Sequence, residues 1–90
     1  MRKLEIKPTL DKKLIRLSKR DKAMYEAVMK KINEILNSEN PEHYKNLSYD
    51  VKDFKRVHVS SFILIFKVDD SKKLIIFEDF KHHDDMYNRR

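Results

Sequence analysis

The apolar residues of this 90-residue chain change period near residue 50. Before that point they recur at helical spacing; after it they alternate or run together. A chain that is helical first and extended afterwards must place its helices against one side of a sheet. The expected class is therefore α+β.

In the first half, MRKLEIKP alternates Leu4 and Ile6 with charged neighbours and reads as a short edge strand, with Pro8 at its end. Thr9 then caps a helix that carries Leu10, Leu14 and Leu17 on one face. Ser18, with Asp21 three residues on, resembles a capping box. It restarts a second helix over 20–37, whose apolar stripe is Met24, Ala27, Val28, Ile32, Ile35 and Leu36. Residues 37–41, ending in Pro41, stop that helix, and 42–50 form a loop anchored by Leu47.

The second half holds three extended stretches. In FKRVHV (54–59), Val57 and Val59 share one face, and Arg56 and His58 the other. FILIFKV (62–68) is apolar almost throughout and takes the centre of the sheet. LIIFEDF (74–80) follows the turn at 69–72. Ser60-Ser61 makes a tight hairpin, and the short connections make all three strands antiparallel. The predicted order is an N-terminal strand, two helices and a three-stranded antiparallel meander, with residues 1–90 as one domain. Two consecutive helices cover only one face of such a sheet. Ile63, Ile65, Ile75 and Phe77 are then a surplus apolar face, which a partner covers better than ten polar tail residues would.

Composition removes several function classes. The chain has no glycine, which excludes phosphate-cradling loops, and no cysteine, which excludes disulfides and cysteine-held zinc. It has no apolar run near the length of a membrane span and no signal-peptide pattern, so a cytoplasmic location and no membrane partner are expected. The net charge of +6 lies wholly in residues 1–38, which hold eleven Lys/Arg against five Asp/Glu; residues 39–90 hold ten of each. That balance favours a polyanionic partner, nucleic acid first, although a lysine-rich solvated surface produces the same count.

The end of the chain, KHHDDMYNRR, concentrates reactive side chains. Adjacent residues on a strand point in opposite directions, so His82 and His83 do not face one ion unless the backbone turns between them. No metal site and no cofactor are expected. Cleavage of RNA by side chains alone fits more of the sequence. It requires a proton taken from a 2′-hydroxyl, charge stabilised on a phosphate, and a proton given to the 5′-oxygen. Arg56 and His58, two apart, project from one face, and Lys55 from the other. Lys81, His82, His83 and Tyr87 arrive just past the neighbouring strand, and Tyr87 can stack on an unstacked base. Lys55, His82, Arg89 and Arg90 would add RNA contacts. Plainer roles exist for each: Arg56 as a surface ion pair, His58 as a solvated residue, Tyr87 as a cap on the core. Asp84 and Asp85 repel phosphate, or else orient a histidine.

With its elements in this order, and with FKRVHV, SS, FILIFKVDD and KKLIIFEDFKHHDDMY in the second half, the chain resembles the RelE/ParE toxin superfamily of toxin–antitoxin systems over nearly its whole length. The resemblance implies a small α+β RNase-like domain that cleaves mRNA in the ribosome without a metal. The alternative it implies is a ParE-like poison of DNA gyrase. Either is neutralised by a small antitoxin, RelB-like in the first case. Carried over by position, Arg56 is the phosphate-facing arginine, Tyr87 the tyrosine near the chain end, and Lys81 or His83 the second basic position. The chain departs from the family pattern at Ile63 and His83, where arginines are expected, and at Ser60-Ser61, where a glycine is. Each missing arginine is expected to cost about 3 kcal/mol of phosphate stabilisation; either histidines offset this by transferring protons directly, or the chain is a catalytically weakened toxin that only binds its antitoxin.

Overall fold

The computed structural model describes residues 2–47 and 53–84. Its elements are β1 (Lys3–Ile6), α1 (Pro8–Arg20), α2 (Lys22–Leu36), a 3-10 turn (Pro41–His43), β2 (Lys55–Val59), β3 (Phe62–Asp69) and β4 (Leu74–His82). The α+β order expected from the sequence is the one observed.

The helix boundaries differ from expectation in instructive ways. Pro8 is the first residue of α1, where a missing N–H costs nothing. Lys7, in extended conformation, is the N-cap, so Thr9 caps nothing. Asp21 ends one helix and starts the next. Its N–H donates to Leu17 O at 2.8 Å, and its carboxylate accepts Met24 N–H at 3.1 Å. No capping box forms, because Ser18 lies inside α1 and donates to Ile15 O at 2.7 Å. On α2, Val28, Ile32, Ile35 and Leu36 are buried, whereas Ala27 is exposed.

The sheet order is β1-β4-β3-β2. The β2–β3 and β3–β4 pairs are antiparallel, as expected of a meander. β1 lies parallel to β4, with Lys3 opposite Leu74 and Ile6 opposite Phe77, which makes the sheet mixed. β4 also runs two residues past Phe80. Along β4 the register slips by one residue, since Ile65 pairs with Asp79 but Phe66 pairs with Phe77. This bulge inverts the alternation there, so Phe77 and Phe80 both reach the helix side of the sheet.

Both helices cover one face of the sheet. Leu10, Leu14, Val28, Ile32, Ile35 and Leu36 meet Val59, Leu64, Phe66, Ile75, Phe77 and Phe80 in one core cluster. The expected surplus face is thereby corrected: Ile75 and Phe77 belong to the core beneath the helices. Ile63 and Ile65 point the other way, but they are only 0% and 7% exposed and already screened within the chain. No partner is required to bury them. No helix among the described residues is long and apolar enough to cross a membrane.

Candidate functional site

The face of the sheet away from the helices carries the candidate site. On β2, Lys55, Val57 and Val59 turn toward the core, which leaves Arg56 and His58 outward. His58 pairs with Ile63, and Ile63 pairs with Lys81, so the three form one row across β2, β3 and β4. With strands spaced about 4.8 Å apart, the backbones of His58 and Lys81 are about 10 Å apart. Arg56 lies about 7 Å along β2 from His58. His83 joins the group from beyond the end of β4. Its N–H donates to Ser61 O at 2.8 Å, and its ring centroid lies 5.9 Å from that of His58. Arg56, His58, Lys81 and His83 thus share one face around the buried Ile63.

Arg56 is oriented by a hydrogen bond from its Nε to Asn46 O at 3.0 Å, which leaves the terminal guanidinium nitrogens for an anion. Asp79, paired with Ile65 in the next row, does not oppose it. The bulge draws the Asp79 carboxylate to Lys13 on α1, with Nζ–Oδ1 at 2.7 Å. The face is therefore cationic by arrangement as well as by count.

Lys55 is placed differently. It is 9% exposed, and its ammonium donates to Tyr44 O at 3.2 Å and Asn46 Oδ1 at 3.0 Å, with Glu42 Oε1 at 3.6 Å. It ties the 41–47 segment to β2 and faces away from Arg56. The Tyr44 ring meets Phe66 edge-on at 5.6 Å. Burial, and to a lesser degree the Glu34 carboxylate, push the Tyr44 phenol above its usual value.

His82 and His83 diverge, as alternation requires. His82 packs edge-on against Phe62 at 5.1 Å on the helix side. Asp84 lies between the two imidazoles, with Oδ2 3.8 Å from His82 Nδ1 and Oδ1 3.7 Å from His83 Nδ1. Its own N–H donates to His82 Nδ1 at 3.1 Å. No group of three or more His, Cys, Asp or Glu among the described residues is arranged to hold a metal ion. Tyr87, Arg89 and Arg90 lie outside the described residues.

Sequence reasoning did not find the groups that orient this face. Asn46 and Ser61 act through backbone carbonyls, which no side-chain pattern reveals. The Lys13–Asp79 pair spans 66 positions, although Asp79 follows an acidic neighbour inside an apolar strand and is out of place there.

A four-stranded mixed sheet with two helices on one face and a basic cluster on the other is an architecture shared with known proteins. Residues 4–87 match the family model described as ParE toxin of type II toxin-antitoxin system, parDE. A protein of Methanocaldococcus jannaschii named "Putative toxin RelE4" is 52% identical over 91 aligned positions, covering 100% of this chain and 95% of that one. The isolated E. coli RelE toxin superposes with a TM-score of 0.74 at 20% identity, covering 91% of this chain and 84% of that one. RelE of the archaeal RelE–RelB complex from Pyrococcus horikoshii does so with a TM-score of 0.69 at 18% identity, covering 91% and 94%. The last two show the fold alone. The chain belongs to the RelE/ParE toxin superfamily of type II toxin–antitoxin systems.

Proposed function

We propose that the chain is a ribosome-dependent mRNA endonuclease whose chemistry is done by side chains on the open face of the sheet. The observation that carries this reading is the shared face of Arg56, His58, Lys81 and His83, centred on Ile63. Arg56 holds the scissile phosphate through its fork of donors, and Lys81 neutralises the charge that builds on it. Of His58 and His83, one takes the proton from the 2′-hydroxyl and the other gives a proton to the departing 5′-oxygen. The 2′-oxygen bonds to phosphorus as the bond to the 5′-oxygen breaks, leaving a cyclic phosphate and a free 5′-hydroxyl. Tyr87 is assigned from sequence alone to stack on the substrate base. Lys55, committed to Tyr44, Asn46 and Glu42, is left out of the RNA contacts. The basic α1 and α2 face the ribosomal RNA. The relatives from E. coli and P. horikoshii crystallised with RelB, and a RelB-like antitoxin is the partner proposed for this chain.

The test is primer extension on translated mRNA after induction. New 5′ ends are expected, and His58→Gln should lower their yield by about a hundredfold to ten-thousandfold without unfolding the chain. Cleavage undiminished in both His58→Gln and Arg56→Gln would place the chemistry elsewhere. The match to a family model described as ParE favours one second reading, a non-enzymatic gyrase poison. That reading predicts inhibited DNA supercoiling with mRNA left intact.

A further inference from the structure

On the helix side of the sheet, opposite Arg56 and His58, a cleft of about 480 Å³ opens between α1 and the ends of β3 and β4. Its wall is aromatic. Phe62 stacks on Phe80 with centroids 4.7 Å apart and planes 11° from parallel, and the His82 ring stands edge-on to Phe62. Phe80 is buried, whereas Phe62 is partly exposed and lines the cleft. Its rim is cationic. Lys13 is occupied by Asp79, but among the described residues Arg16, Arg20 and Lys81 have no carboxylate partner. Residues 12–20 contain five Lys/Arg and no acid. A second cleft of about 380 Å³ continues along α1, shares Arg16 and Arg20, and adds Lys12 and Lys19.

We propose that this cleft is a second RNA site, which takes one unstacked base of a single strand against Phe62 and seats the flanking phosphates on Arg16, Arg20 and Lys81. A flat ring inside a cationic rim is the arrangement that binds single strands irrespective of sequence. The volume falls in the range of about 300–1,000 Å³ typical of small-ligand sites, which suits a nucleotide. A groove for an amphipathic helix instead needs a line of sockets at i, i+3, i+4 and i+7 spacing; here, among the described residues, Leu17 is the single aliphatic side chain in the lining. Because Lys81 borders the cleft and also stands in the row with His58, a strand bound here passes over the end of β4 toward the open face. The site rests on the RNA reading above for the identity of its polyanion, but not on cleavage.

The experiment uses the full chain, a fluorescein-labelled uridine octamer and fluorescence anisotropy across a salt series. Phe62→Leu is expected to weaken binding by about fivefold or more, the lower end for loss of one base–aromatic stack, with the salt slope unchanged. Phe62→Tyr keeps the ring and retains the affinity. The double variant Arg16→Gln, Arg20→Gln lowers the slope of log K against log salt by about 1.4, two single-strand phosphate contacts, whereas Lys72→Gln in the β3–β4 turn leaves it unchanged. Unaltered RNA affinity in a folded Phe62→Leu variant overturns the proposal. So does a Phe62→Leu loss confined to an acidic amphipathic helical peptide, which would make the cleft a peptide groove. Octamer binding that follows these patterns while induced cells show intact mRNA would sink the endonuclease reading and leave this site standing.

Discussion

Lys13 on α1 and Asp79 on β4 are joined at 2.7 Å, and the same ammonium donates to Phe80 O at 3.0 Å. Asp79 Oδ1 also accepts the Phe80 N–H at 2.8 Å. This linkage sits where the register of β4 slips, and so fixes the segment that leads to Lys81 and His83. Replacing Lys13 by Met removes both bonds. The pair is partly exposed, so the expected loss is about 1 kcal/mol, below the range for buried charged hydrogen bonds, read by urea unfolding. Amide exchange at residues 81–83 should accelerate by more than the change in global stability explains. Equal exchange rates in variant and parent would show that the pair does not position the end of β4.

Lys55 and Arg56 are neighbours with opposite expected phenotypes. Lys55→Met leaves Tyr44 O and Asn46 Oδ1 without their donor in a nearly buried place, and should cost about 1–3 kcal/mol of stability. Residual folded protein should cleave RNA as the parent does. Arg56→Gln loses one exposed hydrogen bond to Asn46 O, so its stability should fall by less than about 1 kcal/mol while cleavage falls sharply. Paired measurements of urea midpoint and cleavage yield check both. A Lys55→Met variant that is stable but inactive would return Lys55 to the RNA site.

The Ser60-Ser61 hairpin folds without glycine at a conformational cost. Ser60 has φ of 58°, in the left-handed region, and Lys73 in the next turn has φ of 52°. A side chain there crowds the backbone by about 1–2 kcal/mol, partly offset by the greater entropy that glycine loses on folding. Ser60→Gly should therefore raise stability by about 0.5–1 kcal/mol, as should Lys73→Gly, each measured by thermal unfolding. Since Ser60 lies on the turn outside the row formed by His58, Ile63 and Lys81, the gain should leave cleavage unchanged. A destabilised glycine variant would mean that the Ser60 side chain supports the hairpin.

These elements also show how far the sequence could be read. Helical spacing found both helices, because the core needs an apolar stripe of that period. Alternation found β2 and placed Arg56 with His58 and Lys55 opposite them. Two features were hidden. The bulge near Asp79 breaks the two-residue period, which is why Ile75 and Phe77 read as surplus when they lie in the core. β1 finds its partner 71 positions away, and local patterning carries no information on pairing. The cationic stripe of α1 was legible as charge, since Lys13, Arg16 and Arg20 recur at helical spacing. That it borders an aromatic cleft was not, because Phe62 and Phe80 meet only after the hairpin forms.

Asp69 gives the stability a defined pH dependence. Its Oδ1 accepts the Ser71 hydroxyl at 2.8 Å and the Lys72 N–H at 3.2 Å. The Ser71 bond chiefly, with help from the backbone N–H and charge of Lys72, holds its carboxyl below the ordinary value of 3.8. A carboxylate whose pKa is lower folded than unfolded contributes stability that is complete above the unfolded value and is lost as pH falls through the folded one. Asp69→Asn lacks that ionisation in both states. The variant should therefore be less stable than the parent at neutral pH, and the two should converge as pH falls below the ordinary carboxyl value of 3.8 and through the lower folded one. Urea unfolding of both chains from neutral pH downward measures the convergence. A gap that stays constant across that range would mean the turn is held by the shape of the side chain at position 69 and not by its charge.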